Sequence, residues 1–210
     1  MDATCPLCSN KGNSFYQDKK HHFFLCQHCE GIFRNQNQFL ISSDEKSRYL
    51  NHISDLNDKG YYQFIKPIID QVKKNYKIGS HGLDFGCGHT PVLSRHLEKE
   101  SYIMSEFDAL FFNDTSLLEK NYDFIVCCEV MEHFYDPAKM FKKLFKILKP
   151  NGKLICKTHP YTKSINFQNW YYKNDPSHVF IYQKKTLEWI KNAFHFGYVK
   201  IDDRLITFCK

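Results

Sequence analysis

No stretch of this 210-residue chain approaches the roughly 18 consecutive apolar residues that a membrane-spanning helix needs. No helical span and no membrane partner are therefore expected. The opening MDATCPLC lacks a basic stretch followed by an apolar run, so no secretory leader is expected and a cytoplasmic location is. Internal repeats and low-complexity tracts are also missing. So is any dense basic-aromatic stripe of the kind that tracks nucleic acid. The net charge of +6 comes from scattered lysines that solvate helix faces. It permits RNA or another anionic partner without favouring one.

What the chain does have is enough apolar mass for a packed core, with 42% hydrophobic and 16% aromatic residues. Its length suits one full domain plus a small appendage. The cysteines number nine, an odd count. Four of them form two C-x-x-C pairs, while the others stand singly or as the adjacent Cys127 and Cys128. That pattern reads as a metal site plus reduced core thiols, not a disulfide framework.

Cys5 and Cys8 form one pair, Cys26 and Cys29 the other, with 17 residues between the pairs. This spacing is that of a structural Zn2+ site. Four thiolates close the metal's coordination sphere, so its role is folding and not chemistry. Residues 1–38 are accordingly expected to form a zinc ribbon. Residues 39–78 read as a helical lead-in or lid. Ser43, Asp44 and Glu45 open a first helix that RYLNHI continues. Asn57, Asp58 and Gly60 break it, and a second helix runs from about Tyr61 to Tyr76 with Pro67 inside.

From residue 79 to 210, strands and helices alternate, which predicts an α/β Rossmann-like, doubly wound parallel sheet. HGLDFG, SYIMSEFD, YDFIVCCEV and KLICKT read as strands. PVLSRHLEKE and the segment opening at Pro137 read as helices, the latter closed by Pro150, Asn151 and Gly152. KKTLEWIKNAF reads as a last helix, and GYVKIDD and LITFCK as a C-terminal antiparallel hairpin. Only 13 residues, 109–121, separate Asp108 from the strand at Tyr122. A helix, a strand and another helix do not fit there, so the third βα unit is reduced.

LDFGCGHTP ends the first of these strands and enters a helix. Gly86 and Gly88 let the backbone turn sharply and approach a ligand where a Cβ would collide. Asp84 sits beside the turn. Asp108, 20 residues after Gly88, ends the second strand, where an acid can accept hydrogen bonds from ribose hydroxyls. A dinucleotide fingerprint would place glycine at position 91, where the chain has Pro91.

The D-x-G-C-G run instead resembles the first motif of class I S-adenosylmethionine-dependent methyltransferases. CEVMEHFYDP and LKPNGKL resemble that class's fourth-strand and fifth-strand segments. EFDALFF, RYLNHISDLNDKGYYQF and YYKNDPSHVFIY extend the likeness. With the ribbon, the whole chain resembles a zinc-ribbon-bearing subset of the class, in the methyltransferase-domain group near the ubiquinone-type enzymes. One departure is that Thr90 stands where the usual third glycine would be.

The resemblance implies S-adenosylmethionine as cofactor, with Asp84, Gly86, Cys87, Gly88, Asp108 and Glu129 as its binding residues. The methyl acceptor is expected over the C-terminal ends of the strands, between the CEVMEH segment and the aromatic YYKNDPSH loop. His133 and His178 are the candidate bases there, since neutral imidazole takes a proton near pH 7. A small-molecule acceptor is the leading expectation. An RNA methyltransferase docking through its ribbon, and a non-catalytic binding module on a degenerate scaffold, stay open at this point.

Overall fold

The computed structural model describes residues 3–40, 46–47, 50 and 55–210. Ser43, Asp44, Glu45, Arg48, Tyr49 and His52 of the expected lead-in lie outside the described residues. Among those described, no helix is long and apolar enough to cross a membrane.

Helix α1 (Lys59–Asn75) turns Ile65, Ile68, Ile69 and Val72 inward. Asp58 caps the start of this helix, its carboxylate accepting from the Gly60 and Tyr61 amides, and Gly60 lies inside it. Strand β5 (His81–Phe85), α2 (Val92–Lys99), β6 (Ile103–Phe107) and β7 (Tyr122–Cys128) follow. Then come α3 (Pro137–Ile147), capped by Asp136, and β8 (Leu148–Lys157). Strands β1–β4 belong to the N-terminal segment, and β9 is the short Phe180–Ile181 strand. The tail is α4 (Lys184–Ala193), β10 (Tyr198–Asp202) and β11 (Leu205–Cys209).

The large sheet runs β6-β5-β7-β8-β11-β10. Its first four strands are parallel and β11 and β10 antiparallel, as the alternating pattern and the terminal hairpin predict. Between Asp108 and β7 there is a tight turn, closed by an Asp108–Phe112 bridge, and a 3-10 turn at Thr115–Glu119. No described strand pairs outside β6, so the third unit is indeed reduced. One boundary moves. Helix α3 stops at Ile147, and Leu148 already pairs with Tyr122. Pro150, Asn151 and Gly152 lie within β8, with Asn151 in the left-handed region at φ 62°.

The two faces of the sheet are covered separately. Helices α1 and α2 pack over Phe124, Val126 and Ile155. Side chains of α3 and α4 join Leu83, Ile125, Leu154, Ile206 and Phe208 in the larger core. Continuous apolar strands suit this burial on both sides.

The N-terminal segment forms β1 (Ala3–Thr4), β2 (Lys11–Gln17), β3 (His22–Cys26) and β4 (Ile32–Arg34). Its sheet takes a fifth strand from the far end of the chain. Ile32 and Phe33 of β4 pair with Ile181 and Phe180 of β9. Gly31 makes room for this, because a Cβ there would stand 2.3 Å from the Phe180 ring. Cys5, Cys26, Cys29 and Phe33 share one buried cluster with the residues of α3 and β8. A 38-residue module buries too little surface to stand alone, and here it borrows a core from its neighbour.

Candidate functional site

Strand β5 sits between β6 and β7, so the chain leaves its C-terminal end toward one side while β7 flanks the other. A crevice opens there, as at the strand-order reversals of other doubly wound sheets. Gly86 and Gly88 form its floor with φ of 80° and 68°. A Cβ on Gly86 would stand 2.5 Å from both methyls of Val130, so this glycine is demanded by the neighbouring loop. A Cβ on Gly88 would meet nothing within 4 Å; the space beside it is open cavity.

Asp108 fixes the turn from the end of the neighbouring strand, β6. Its Oδ2 accepts from the Gly88 amide at 3.0 Å, and its Oδ1 from the amides of Leu110 and Phe111 at 2.8 and 3.2 Å. A carboxylate offers about four acceptor positions, so three bonds leave it able to accept again. Asp84 does not line the cavity. It lies behind the turn, 2% exposed, and accepts from Ser94 Oγ on α2 at 2.9 Å. Cys87 does not line it either; its thiol points to the Gly88 carbonyl.

The cavity has a volume of about 590 Å³, within the usual range of small-molecule sites. Gly86, Gly88, Asp108, Glu129 and His133 all line it, with Phe85, Phe107 and Phe134 as an aromatic wall. Lys139, Lys143 and Tyr135 reach its rim from α3 and the loop before it. A larger cavity, about 830 Å³, lies between Glu30, Tyr161, Glu188 and Ile201, and none of the candidate site residues lines it.

Beyond β7 the chain is strained. Glu129 holds a left-handed φ of 52°, a conformation that non-glycine residues adopt at a cost and often near functional sites. Burial pushes its carboxyl up, while a hydrogen bond with Glu132 pulls it down. Glu132 is fully buried, and both burial and the adjacent Glu129 charge push it further up. Glu132 is therefore the one that keeps its proton. No described N–H or hydroxyl reaches Glu129 Oε1 or Glu132 Oε2, and a buried carboxyl pair of this kind is expected to carry fewer than two charges. Tyr172 Oη donates to Glu132 Oε1 at 2.5 Å and lies 2.8 Å from Thr158 Oγ1.

The two candidate histidines meet here. Their ring centroids are 4.8 Å apart. His133 Nδ1 donates to the Ser177 carbonyl at 3.0 Å, which places the ring lone pair on Nε2. His178 is buried, donates through Nδ1 to the Tyr172 carbonyl at 2.8 Å, and packs 4.1 Å from the Tyr172 ring. His133 lines the cavity and His178 stands behind it.

Far from this crevice, Cys5, Cys8, Cys26 and Cys29 converge with their sulfurs within 4.8 Å of one another. The Cys5–Cys29 and Cys8–Cys26 separations are 3.7 and 3.3 Å. These are too long for disulfides and close to the edges, about 3.8 Å, of a tetrahedron with metal–sulfur bonds of about 2.3 Å. The donor set fits a thiophilic metal.

Residues 48–201 match the model of the methyltransferase domain family. The chain belongs to that family. A ubiquinone biosynthesis O-methyltransferase of Coxiella burnetii is 33% identical over 103 residues, covering 38% of this chain and 44% of the relative. The chain thus spans less than half the length of that relative. Two solved methyltransferases share the fold. The 1,6-didemethyltoxoflavin-N1-methyltransferase of Burkholderia thailandensis aligns over 94% of this chain and 99% of its own, with TM-score 0.57 and 12% identity. The magnesium protoporphyrin IX methyltransferase of Synechocystis PCC 6803 aligns over 83% and 97%, with TM-score 0.55 and 15% identity.

Within this methyltransferase domain, several contributors carry no sequence signal of their own. Val130 and Lys139 are ordinary residues until the fold brings them to the crevice, as is Thr158 until it meets Tyr172. Tyr172 belongs to a segment whose aromatic character is plain in the sequence, but its contact with Glu132 spans 40 residues.

Asp84 gives a pH test. Burial raises its carboxyl from the ordinary 3.8 to about 7. The fold therefore holds a proton that the unfolded chain releases at lower pH. This contribution is complete below pH 3.8 and is lost as pH rises toward about 7. Asp84→Asn should flatten the fall in stability across that window by a few kcal/mol at most, since each tenfold difference in proton affinity is worth roughly 1.4 kcal/mol. A parent-like slope in denaturant titrations from pH 4 to 7 would contradict this.

Proposed function

We propose that this methyltransferase domain moves a methyl group from S-adenosylmethionine to a small-molecule acceptor. The observation that carries the reading is the crevice where the left-handed Gly86 and Gly88, the Asp108 carboxylate and the strained Glu129 face one cavity. The Burkholderia and Synechocystis enzymes hold S-adenosylhomocysteine, and their acceptors and that of the Coxiella relative are small molecules. Both facts support the assignment.

The cofactor would supply a methyl group already activated on a sulfonium, so the protein's task is alignment. Gly88 brings backbone amides to the cofactor without a side chain in the way. Asp108 takes the ribose hydroxyls while its other bonds hold the glycine turn rigid. Asp84 braces the turn from behind through Ser94, and Cys87 contributes its main chain. Glu129 accepts donors from the cofactor at the inner end. The apolar ring wall of Phe85, Phe107 and Phe134 excludes water. His133, with its lone pair on Nε2, takes the proton of the acceptor, and His178 packs against it. In the N-terminal module Cys5, Cys8, Cys26 and Cys29 hold zinc as a closed structural site, and the module, the lead-in and the cofactor-binding domain divide near residues 38 and 78.

Calorimetric titration should find one S-adenosylhomocysteine bound per chain. Gly88→Val should abolish it. The open space around Gly88 lets the fold survive, at about 1–2 kcal/mol for a side chain at positive φ. Asp108→Ala should weaken binding by about 1–3 kcal/mol. Parent-like titrations in both variants would move the cofactor elsewhere.

Once an acceptor is in hand, His133→Ala should lower kcat by roughly 10²–10⁴-fold if that acceptor is a hydroxyl or protonated amine, with cofactor affinity kept. An unchanged kcat on such an acceptor rules the base out.

Metal analysis should find one zinc per chain, and strong loss of it in Cys26→Ser. Equal zinc in the two proteins would refute the four-cysteine site.

A further inference from the structure

Arg34, the last residue of β4, is 2% exposed. A charge buried this deeply must be compensated, or its desolvation cost goes unanswered. The compensation comes largely from the main chain of one distant segment, with the charges of Asp175 and Asp18 adding to it. Arg34 Nη2 donates to the carbonyls of Lys173 and Asp175 at 2.9 and 2.8 Å, and Nε to the carbonyl of His178 at 3.2 Å. Its own amide donates to the Val179 carbonyl at 2.9 Å. The guanidinium also sits 4.6 Å above the Phe23 ring of β3. Burial pulls its pKa down to about 10, so it stays charged at neutral pH.

The gripped segment is the one that builds the acceptor side of the crevice. Ser177 supplies the carbonyl that sets the His133 tautomer. Its neighbour His178 packs on His133. Tyr172, just before it, reaches Glu132, and the Val179 amide, just after it, donates to the Glu132 carbonyl at 2.9 Å. The segment carries a 3-10 turn at Tyr171–Asn174 and no regular strand before β9; within it Ser177 and the His178 amide donate to Asp175, and His178 Nδ1 donates to the Tyr172 carbonyl. A second tie to the same module is Lys173 Nζ, 5.1 Å over the Tyr16 ring. Arg34 itself stands five residues after Cys29, in the strand that the four-cysteine cluster launches. By contrast, every residue lining the cofactor-side cavity lies between 85 and 143.

We propose that Arg34 is a positioning residue through which the cysteine-held N-terminal module sets the acceptor side of the methyltransferase site. The module thereby acts on catalysis without touching the reacting groups. Loss of the guanidinium or of the metal loosens residues 173–181 and releases His133 and His178 from their fixed orientations. Cofactor binding, built from other residues, continues. The assignment of an acceptor side rests on the function proposed above.

The test uses the zinc-loaded full chain with Arg34→Met, which keeps the packing over Phe23 but no donor, and Arg34→Lys, which keeps charge and donors. Amide hydrogen exchange across 173–181, the ring resonances of His133 and His178, and the S-adenosylhomocysteine titration are read in each. In Arg34→Met the exchange should accelerate about tenfold or more, as expected when hydrogen bonds from a charged donor are lost. Both imidazole resonances should shift, while cofactor affinity stays within about twofold, the scatter expected for a site that shares no partner with the substitution. Arg34→Lys should lie between Met and the parent. Removing zinc from the parent should accelerate the same amides, and this arm decides the matter if Arg34→Met does not fold. Unchanged exchange in Arg34→Met or in the zinc-free parent overturns the proposal. So does equal behaviour of Lys and Met, which would make the effect one of packing, or a cofactor affinity that falls in step with the loosening. A parent that binds no S-adenosylhomocysteine refutes the proposed function instead, and the exchange and ring signals still decide the role of Arg34.

Discussion

The reversal of strand order around β5 is the constraint from which the rest of the site follows. With β6 on one side and β7 on the other, the chain that leaves β5 cannot cover its own C-terminal end. It must turn at once, and the turn must fit under Val130 from the neighbouring loop. That leaves room at Gly86 for a hydrogen atom alone. The open face at Gly88 and the Asp108 carboxylate that ties it down are consequences of the same geometry. The aromatic wall and the Glu129 kink close what would otherwise be a solvent-filled gap.

A second layer of organisation concerns protons. Glu129 and Glu132 are buried side by side, and the low dielectric does not tolerate two charges there. Tyr172, on the loop carrying His178, and Thr158, just after β8, extend the pair into a chain of hydroxyl and carboxyl groups. Glu132, Tyr172 and Thr158 are all buried, so this chain orients the His133 side of the crevice instead of exchanging protons freely. The N-terminal module enters at the same loop. Under the roles proposed above, two structural halves divide the work, with the sheet ends binding and the loop and module orienting.

Much of this was legible in the sequence, for reasons that differ by feature. The parallel strands announced themselves because burial on both faces makes them continuous apolar runs, as in Tyr122–Cys128. The reduced third unit followed from counting residues between Asp108 and Tyr122. The two C-x-x-C pairs carried their spacing openly. Other features had no local signature. Strand β9 is two residues long, and only its partner β4 makes it a strand. Arg34 is one arginine in a polar-looking stretch; its burial depends on carbonyls about 140 residues away. Asp84 sits beside the glycine turn in sequence, yet its side chain faces Ser94 and not the cavity. The end of α3 at Ile147, ahead of the Pro-Asn-Gly turn, reflects the pull of Tyr122 on Leu148 across the sheet.

The central claim is that the crevice at Gly86–Gly88, and not the larger cavity beside the N-terminal module, receives the adenosyl cofactor. Amide chemical-shift mapping during a titration with S-adenosylhomocysteine decides between them in one experiment. The account predicts that the largest shifts fall on Gly86, Gly88, Asp108, Leu110 and Glu129. Shifts concentrated on Glu30, Tyr161, Glu188 and Ile201, with the glycine turn silent, would contradict it.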